Sequence, residues 1–204
     1  MNYKIAYAIG FHPWETAIDN EEFVETITGL FDEVERDREP PYGPALDIGT
    51  GSGVWGLELA KRGWEVTGID NVPKAVDRAR ERVADAGVEM QLVLGDVTDL
   101  RRAGVDDQFE LFLDTGTFHG LPLDQRKAMA REIDAVAAPD ATILLLAWEP
   151  KRRGPLPRGA TGPEIEAVFP EWSVTDLGRS NFEAPKPVEV LMTPNEHWFV
   201  LRRK

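Results

Sequence analysis

The sequence predicts an α/β fold: a doubly wound, mostly parallel seven-stranded sheet, helices on both faces, and a C-terminal antiparallel hairpin. Three observations predict it. Apolar runs at 45–49, 65–70, 89–95, 109–114 and 142–148 alternate with helically spaced segments near 53–62, 73–86 and 124–137, and such alternation packs as a parallel sheet covered on both sides. The alternation then stops, with runs near 172–179, 188–192 and 197–202 and no helix between them. Third, the run at 45–49 leads into Gly49-Thr50-Gly51-Ser52-Gly53, a strand, glycine turn and helix start that together frame a nucleotide-sized site.

Taken in order, the elements have local reasons. Asp19 or Asn20 is an N-cap for a helix over Asn20–Val34, with Glu22 close behind and Phe23, Ile27, Leu30 and Val34 on one side. Glu39-Pro40-Pro41-Tyr42-Gly43-Pro44 is a connector. Ala45, Leu46 and Ile48 make the first strand buried, and Val54, Leu57 and Ala60 line the helix after the glycines. Val72, Val76, Ala79, Val83 and Ala86 form the clearest helical stripe. Thr161-Gly162-Pro163-Glu164 is a capping box opening a further helix, with Ile165, Val168 and Phe169 facing in.

Composition narrows the function. The chain has 204 residues, suited to a single domain over 1–204, with no cysteine and hence no disulfide or thiolate chemistry. Its 36 acidic against 23 basic side chains give a net charge of −13, the wrong sign for a nucleic-acid enzyme. No apolar run spans a bilayer and Met1–Ala6 has no apolar signal core, so the expectation is a cytoplasmic protein with no membrane or nucleic-acid partner. No metal-ligand spacing stands out.

The ends of parallel strands are where such sheets bind ligands. Gly51-Ser52-Gly53-Val54-Trp55-Gly56 spells a dinucleotide fingerprint. There, however, the first glycine closes the strand, and counting from Gly49 puts Val54 where the third glycine belongs. Asp47 in the strand would also repel a pyrophosphate. Asp70 ends the second strand about twenty residues on, the distance at which a carboxylate reaches ribose hydroxyls; a cap for the next helix is the other reading. Gly95-Asp96-Val97 ends the third strand and Asp114-Thr115-Gly116-Thr117-Phe118-His119-Gly120 the fourth.

Asp47 followed by Gly49-x-Gly51-x-Gly53 resembles the first motif of the class I S-adenosylmethionine-dependent methyltransferases. Asp114-x-Gly116-x-Phe118-His119 is similar to the thiopurine methyltransferase-like small-molecule group, as are Gly10-Phe11-His12, Gly68-Ile69-Asp70, and Gly154-Pro155-Leu156-Pro157 with Glu164–Phe169. The group's usual Asp-Arg-Gly is Asp114-Thr115-Gly116 here, so the arginine's role does not carry over. The Asn/Asp-Pro-Pro-aromatic tetrad of amino-methylating nucleic-acid enzymes is absent from the strand-four end. The resemblance implies a cofactor-binding half over 45–140, a substrate-side half with the terminal hairpin over 141–204, and a lid segment and helix over 1–40.

It also implies that S-adenosylmethionine is held by Phe11, Trp14, Asp47, Gly49, Thr50, Gly51, Gly53, Asp70, Asn71, Asp96, Val97 and Asp114. In that scheme Asp47 faces the methionine ammonium, Asp96 the adenine amine, and Val97 either packs on the ring or donates its N–H. A small aromatic or heterocyclic acceptor would meet His12, Phe118, His119, Trp148 and Arg152. His119 and Asp114 are the catalytic candidates: His119 as general base, or as a residue ordering its own loop; Asp114 to bind or orient. Phe11, Trp14, Phe118 and Trp148 read either as an aromatic box or as core. Lys151, Arg152, Arg153 and Arg158 read either as a receptor for an anionic acceptor or as a solvated loop. A nucleotide-dependent oxidoreductase and a non-catalytic binding protein of the same fold are the alternatives. The oligomeric state is monomer or weak homodimer.

Overall fold

The computed structural model describes residues 18–150, 158–179 and 195–204. Helix α1 spans Glu21–Glu35, and Asn20 is its cap: its side chain accepts from the Phe23 N–H at 2.8 Å. Phe23, Ile27 and Phe31 form its buried stripe. Strand β1 is Pro44–Ile48, α2 Val54–Arg62, β2 Glu65–Asp70, α3 Pro73–Ala86, β3 Gln91–Leu94 and β4 Phe109–Asp114. Then come α4 Leu123–Val136, β5 Ala137–Trp148, α5 Gly162–Val168, β6 Trp172–Arg179 and β7 Glu196–Arg203. The capping box of α5 is complete: Thr161 Oγ1 accepts from the Glu164 N–H, and the Glu164 carboxylate from the Thr161 N–H.

One sheet of seven strands runs β3-β2-β1-β4-β5-β7-β6. The first five pair in parallel; β7 inserts antiparallel between β5 and β6. The predicted fold class is the observed one. The predicted run at 188–192 lies outside the described residues, and β5 begins five residues earlier than the apolar run, at Ala137.

Because side chains alternate across a strand, each central strand feeds two cores. Ala45, Leu111, Leu113, Leu144, Leu146, Trp198 and Val200 meet α1 and α2 on one face. Leu46, Ile48, Phe112, Ile143, Leu145, Phe199 and Leu201 meet α4 and α5 on the other. Helix α3 packs against β2, β3 and α2. The alternation also decides where Asp47 goes, since it shares the α2 face with Ala45.

Candidate functional site

The glycine loop is held from inside. Gly49, Gly51 and Gly53 have φ of 66°, 56° and 77°, the left-handed region that side-chain-bearing residues avoid. At Gly49 space forbids a side chain as well: a Cβ would sit 1.9 Å from Thr117 Oγ1. Gly53, the N-cap of α2, has no side chain to satisfy the helix start. Asp47 supplies one from the strand. Its Oδ2 accepts from the Gly56 N–H at 3.0 Å and from the Thr50 hydroxyl at 2.6 Å. The Thr50, Gly53 and Gly51 N–H groups donate to Ile69 O, Thr50 O and Asp70 Oδ2.

The Gly56 N–H at the helix start is taken by a carboxylate of the protein, and Asp47, 1% exposed, braces the loop from beneath. Burial pushes the Asp47 carboxyl up to about 7, against the lowering effect of its two hydrogen bonds, with the Asp114 and Asp70 charges adding to the rise.

Asp70 sits at the end of β2, beside Leu94 of β3. Its Oδ2 accepts from the Gly51 N–H at 3.0 Å and its Oδ1 from the Val72 N–H at 2.8 Å. An ionised carboxylate has about four acceptor positions, so the same side chain orders the loop, takes the Val72 N–H just ahead of α3 and retains capacity for hydroxyls. Desolvation raises its pKa. Asn71 is exposed beside it. Asp96 is exposed, with Oδ1 accepting from the Thr98 N–H and hydroxyl at 2.9 and 2.7 Å. The Val97 side chain packs into the core, 7% exposed.

At the end of β4 the structure corrects the sequence-based placement of two residues. Asp114 is fully buried; its Oδ1 accepts from the Gly116 and Thr117 N–H groups and its Oδ2 from the Phe118 N–H. It shapes the turn and does not face an acceptor. Burial pushes its carboxyl up to about 6 against those three bonds. Phe118 is likewise fully buried, 5.7 Å from the Phe169 ring. Thr117 Oγ1 donates to Ile48 O at 3.2 Å, tying this turn to the strand that feeds the glycine loop.

His119 is 4% exposed, and its ring lies 5.0 Å from that of Trp148 at 32°. The Trp148 backbone N–H donates to His119 Nδ1 at 3.1 Å. An N–H can only donate, so Nδ1 accepts and the neutral ring carries its proton on Nε2. The Trp148 indole N–H donates to Glu196 Oε1 at 2.7 Å. Arg126, Thr117 and Glu196 escaped the sequence reading. Arg126 alone had a signal: a charge in the α4 stripe otherwise made by Met129, Ala130 and Ile133.

Phe11, His12, Trp14 and Arg152 lie outside the described residues, as do Lys151 and Arg153. Arg158 is exposed and pairs with Glu164 at 2.9 Å. His197 stands between Asp176 and Glu149, at 3.1 and 3.3 Å, on the hairpin. Among the described residues no group of three or more His, Asp or Glu side chains could hold a metal ion, and no helix is long and apolar enough to cross a membrane.

Strand order and the C-terminal antiparallel hairpin give the sheet the methyltransferase fold, and residues 45–140 match the family described as "Methyltransferase domain". Among curated relatives, the 2-heptyl-1-hydroxyquinolin-4(1H)-one methyltransferase of Mycobacteroides abscessus is 32% identical over 150 residues, covering 70% of this chain and 64% of that protein. The chain therefore spans less than two thirds of this relative's length. Two solved structures share the fold. The magnesium protoporphyrin IX methyltransferase of Synechocystis PCC 6803 with bound S-adenosylhomocysteine has a TM-score of 0.72 at 15% identity, over 98% of this chain and 96% of that one. The 1,6-didemethyltoxoflavin-N1-methyltransferase of Burkholderia thailandensis has 0.67 at 19%, over 99% and 87%.

Proposed function

We propose that this protein transfers a methyl group from S-adenosylmethionine to a small planar aromatic or heterocyclic acceptor, in the manner of the thiopurine methyltransferase-like group. The observation that carries the reading is Asp47 under the glycine loop. With the Gly56 N–H already taken by Asp47, the helix start has less to offer a pyrophosphate, and the buried carboxyl beneath the loop suits a cofactor that brings positive charge instead of phosphates. Asp70 then takes the ribose hydroxyls, and Asp96 the adenine amine beside the Val97 N–H. The hydroxyquinolone and didemethyltoxoflavin named for two similar proteins are small heterocycles, in keeping with an acidic chain unsuited to polyanions.

The acceptor lies over the His119–Trp148 pair; Phe11, Trp14 and Arg152, which the resemblance assigns to cofactor and acceptor, lie outside the described residues. The acceptor's lone pair attacks the methyl carbon, the sulfur–carbon bond breaks, and the sulfur keeps the electron pair as a thioether. With Nδ1 already accepting, His119 orients the acceptor through its Nε2–H, and acceptors react in their ionised form. The protein works on free small molecules in the cytoplasm as a monomer or weak homodimer, without nucleic acid or membrane.

Thermal titration with S-adenosylmethionine, S-adenosylhomocysteine and a nicotinamide dinucleotide, followed by an acceptor panel, tests this. A ligand at a hundredfold excess over its Kd adds about 2.7 kcal/mol of stability. The first two should shift the transition and the dinucleotide should not. The reverse pattern, or transfer to nucleic acid or protein with none to aromatics, overturns the reading.

A further inference from the structure

The turn between β4 and α4 is held from two sides by opposite buried charges. Asp114 takes its N–H groups at Gly116, Thr117 and Phe118. Arg126 takes its carbonyls: Nη2 donates to His119 O and Nε to Leu121 O, each at 2.9 Å. The same Nη2 donates to Gly159 O at 2.8 Å, on the segment that follows β5. Arg126 is 5% exposed, its guanidinium 4.9 Å from the centre of the Phe118 ring. A buried cation is unfavourable unless its donors are met. An apolar side chain would complete the α4 stripe at less cost. What the guanidinium adds is three directed bonds into two separate chain segments, a geometry its planar fork allows and an ammonium does not.

The two segments it joins are those that build the acceptor surface. Gly159 N–H donates to His119 O at 3.3 Å, and Ala160 N–H to Trp148 O at 2.8 Å. The backbones are in contact here: a Cβ on Gly159 would lie 2.5 Å from Trp148 O. Orientation of the tilted His119–Trp148 pair thus depends on the 115–122 turn and the 158–160 segment keeping one relative position. We infer that Arg126 is a positioning residue for methyl transfer, holding these two segments as one piece under the acceptor. The inference rests on the acceptor site proposed above. Cofactor affinity should suffer far less than transfer, because apart from the Thr117–Ile48 bond the glycine loop is braced separately by Asp47, Thr50 and Asp70.

The test uses full-length Arg126→Lys and Arg126→Ala. Hydrogen exchange reads the two segments without any acceptor, calorimetry reads S-adenosylmethionine, and turnover is measured on a 1-hydroxyquinolone, a phenol and an aromatic thiol. Exchange should rise together in 115–122 and 158–160 and stay unchanged in 49–53, with cofactor Kd within about twofold. Transfer per folded molecule should fall about tenfold or more, since small misplacements of reacting groups are costly in rate. Ethylguanidinium should restore part of the rate in Arg126→Ala. Loosening of one segment alone, full transfer rates in a variant, or parallel loss of cofactor binding and fold would each overturn the assignment. If Arg126→Ala does not fold, Arg126→Lys carries the same readouts. Wild-type protein inactive on every acceptor would count against the proposed reaction, and exchange would then decide the role of Arg126.

Discussion

Asp47 and Asp114 are both buried carboxylates with raised pKa, and the difference in how they spend their oxygens predicts opposite behaviour on amide substitution. Both of Asp47's bonds fall on Oδ2, so an asparagine oxygen can accept both. Asp114 uses both oxygens, so an amide group there would face an N–H donor. Asp47 binds a proton in the folded chain up to about pH 7 but releases it near 3.8 when unfolded. Between those values the folded state holds the extra proton, and stability falls as pH rises. Asp47→Asn should therefore gain melting temperature relative to wild type from about pH 4 to about pH 7, with the gap constant above. Asp114→Asn should be destabilising at low pH, by about 1–3 kcal/mol for the unmatched donor, with the penalty shrinking from pH 3.8 to about pH 6 as the wild type gives up its own extra proton. Chemical denaturation of both variants across pH reads the contrast. Asp70→Ala removes the proposed ribose acceptor, and S-adenosylmethionine affinity measured calorimetrically should drop at least about tenfold. An unchanged affinity would make Asp70 a loop-ordering residue alone.

At the scale of elements, the turns are joined to one another more than to solvent. Gly49 and Gly87 share a φ of 66°, yet a Cβ at Gly49 would strike Thr117 whereas one at Gly87 meets nothing within 4 Å. Gly87→Ala should cost about 1–2 kcal/mol, the penalty of the left-handed conformation. Gly49→Ala should cost clearly more and lower cofactor affinity, because the Thr117 hydroxyl must leave Ile48 O. Equal melting temperatures for the two variants would show that the β4 turn yields freely. Helix α2 illustrates the same coupling: a glycine N-cap would be weak in isolation, and the strand it follows supplies the missing carboxylate.

For the whole molecule, the central expectation concerns the N-terminal segment. Helix α1 packs through Phe23, Ile27 and Phe31 onto Leu111, Leu144 and Trp198, so it belongs to the sheet's core. Removing the residues before Asn20 leaves that stripe and its cap in place. The shortened protein should keep its cooperative melting transition but lose methyl transfer, as required if Phe11 and Trp14 contact the cofactor and the acceptor. Retained transfer would show that the segment has no lid role.

Periodicity sufficed for the parallel strands, the α3 stripe and the α5 capping box, because each depends on contacts between residues a few positions apart or on one face of one element. The terminal change of pattern was enough to foresee antiparallel pairing at the end of the sheet. The positions of Asp47, Asp70, Asp96, Asp114 and His119 at strand ends were legible for the same reason. What each does was decided by residues distant in sequence. Asp114 faces its own turn because β4 is central and its C-terminal end is buried, and Phe118 packs on Phe169 from α5's end. His119 receives the N–H of Trp148, twenty-nine residues on, which selects its tautomer. Arg126 reaches Gly159 across thirty-three. Local pattern determined which strand end carries which side chain; the direction each side chain faces depends on burial and hydrogen-bond partners that exist once the sheet has brought β1, β4 and β5 together.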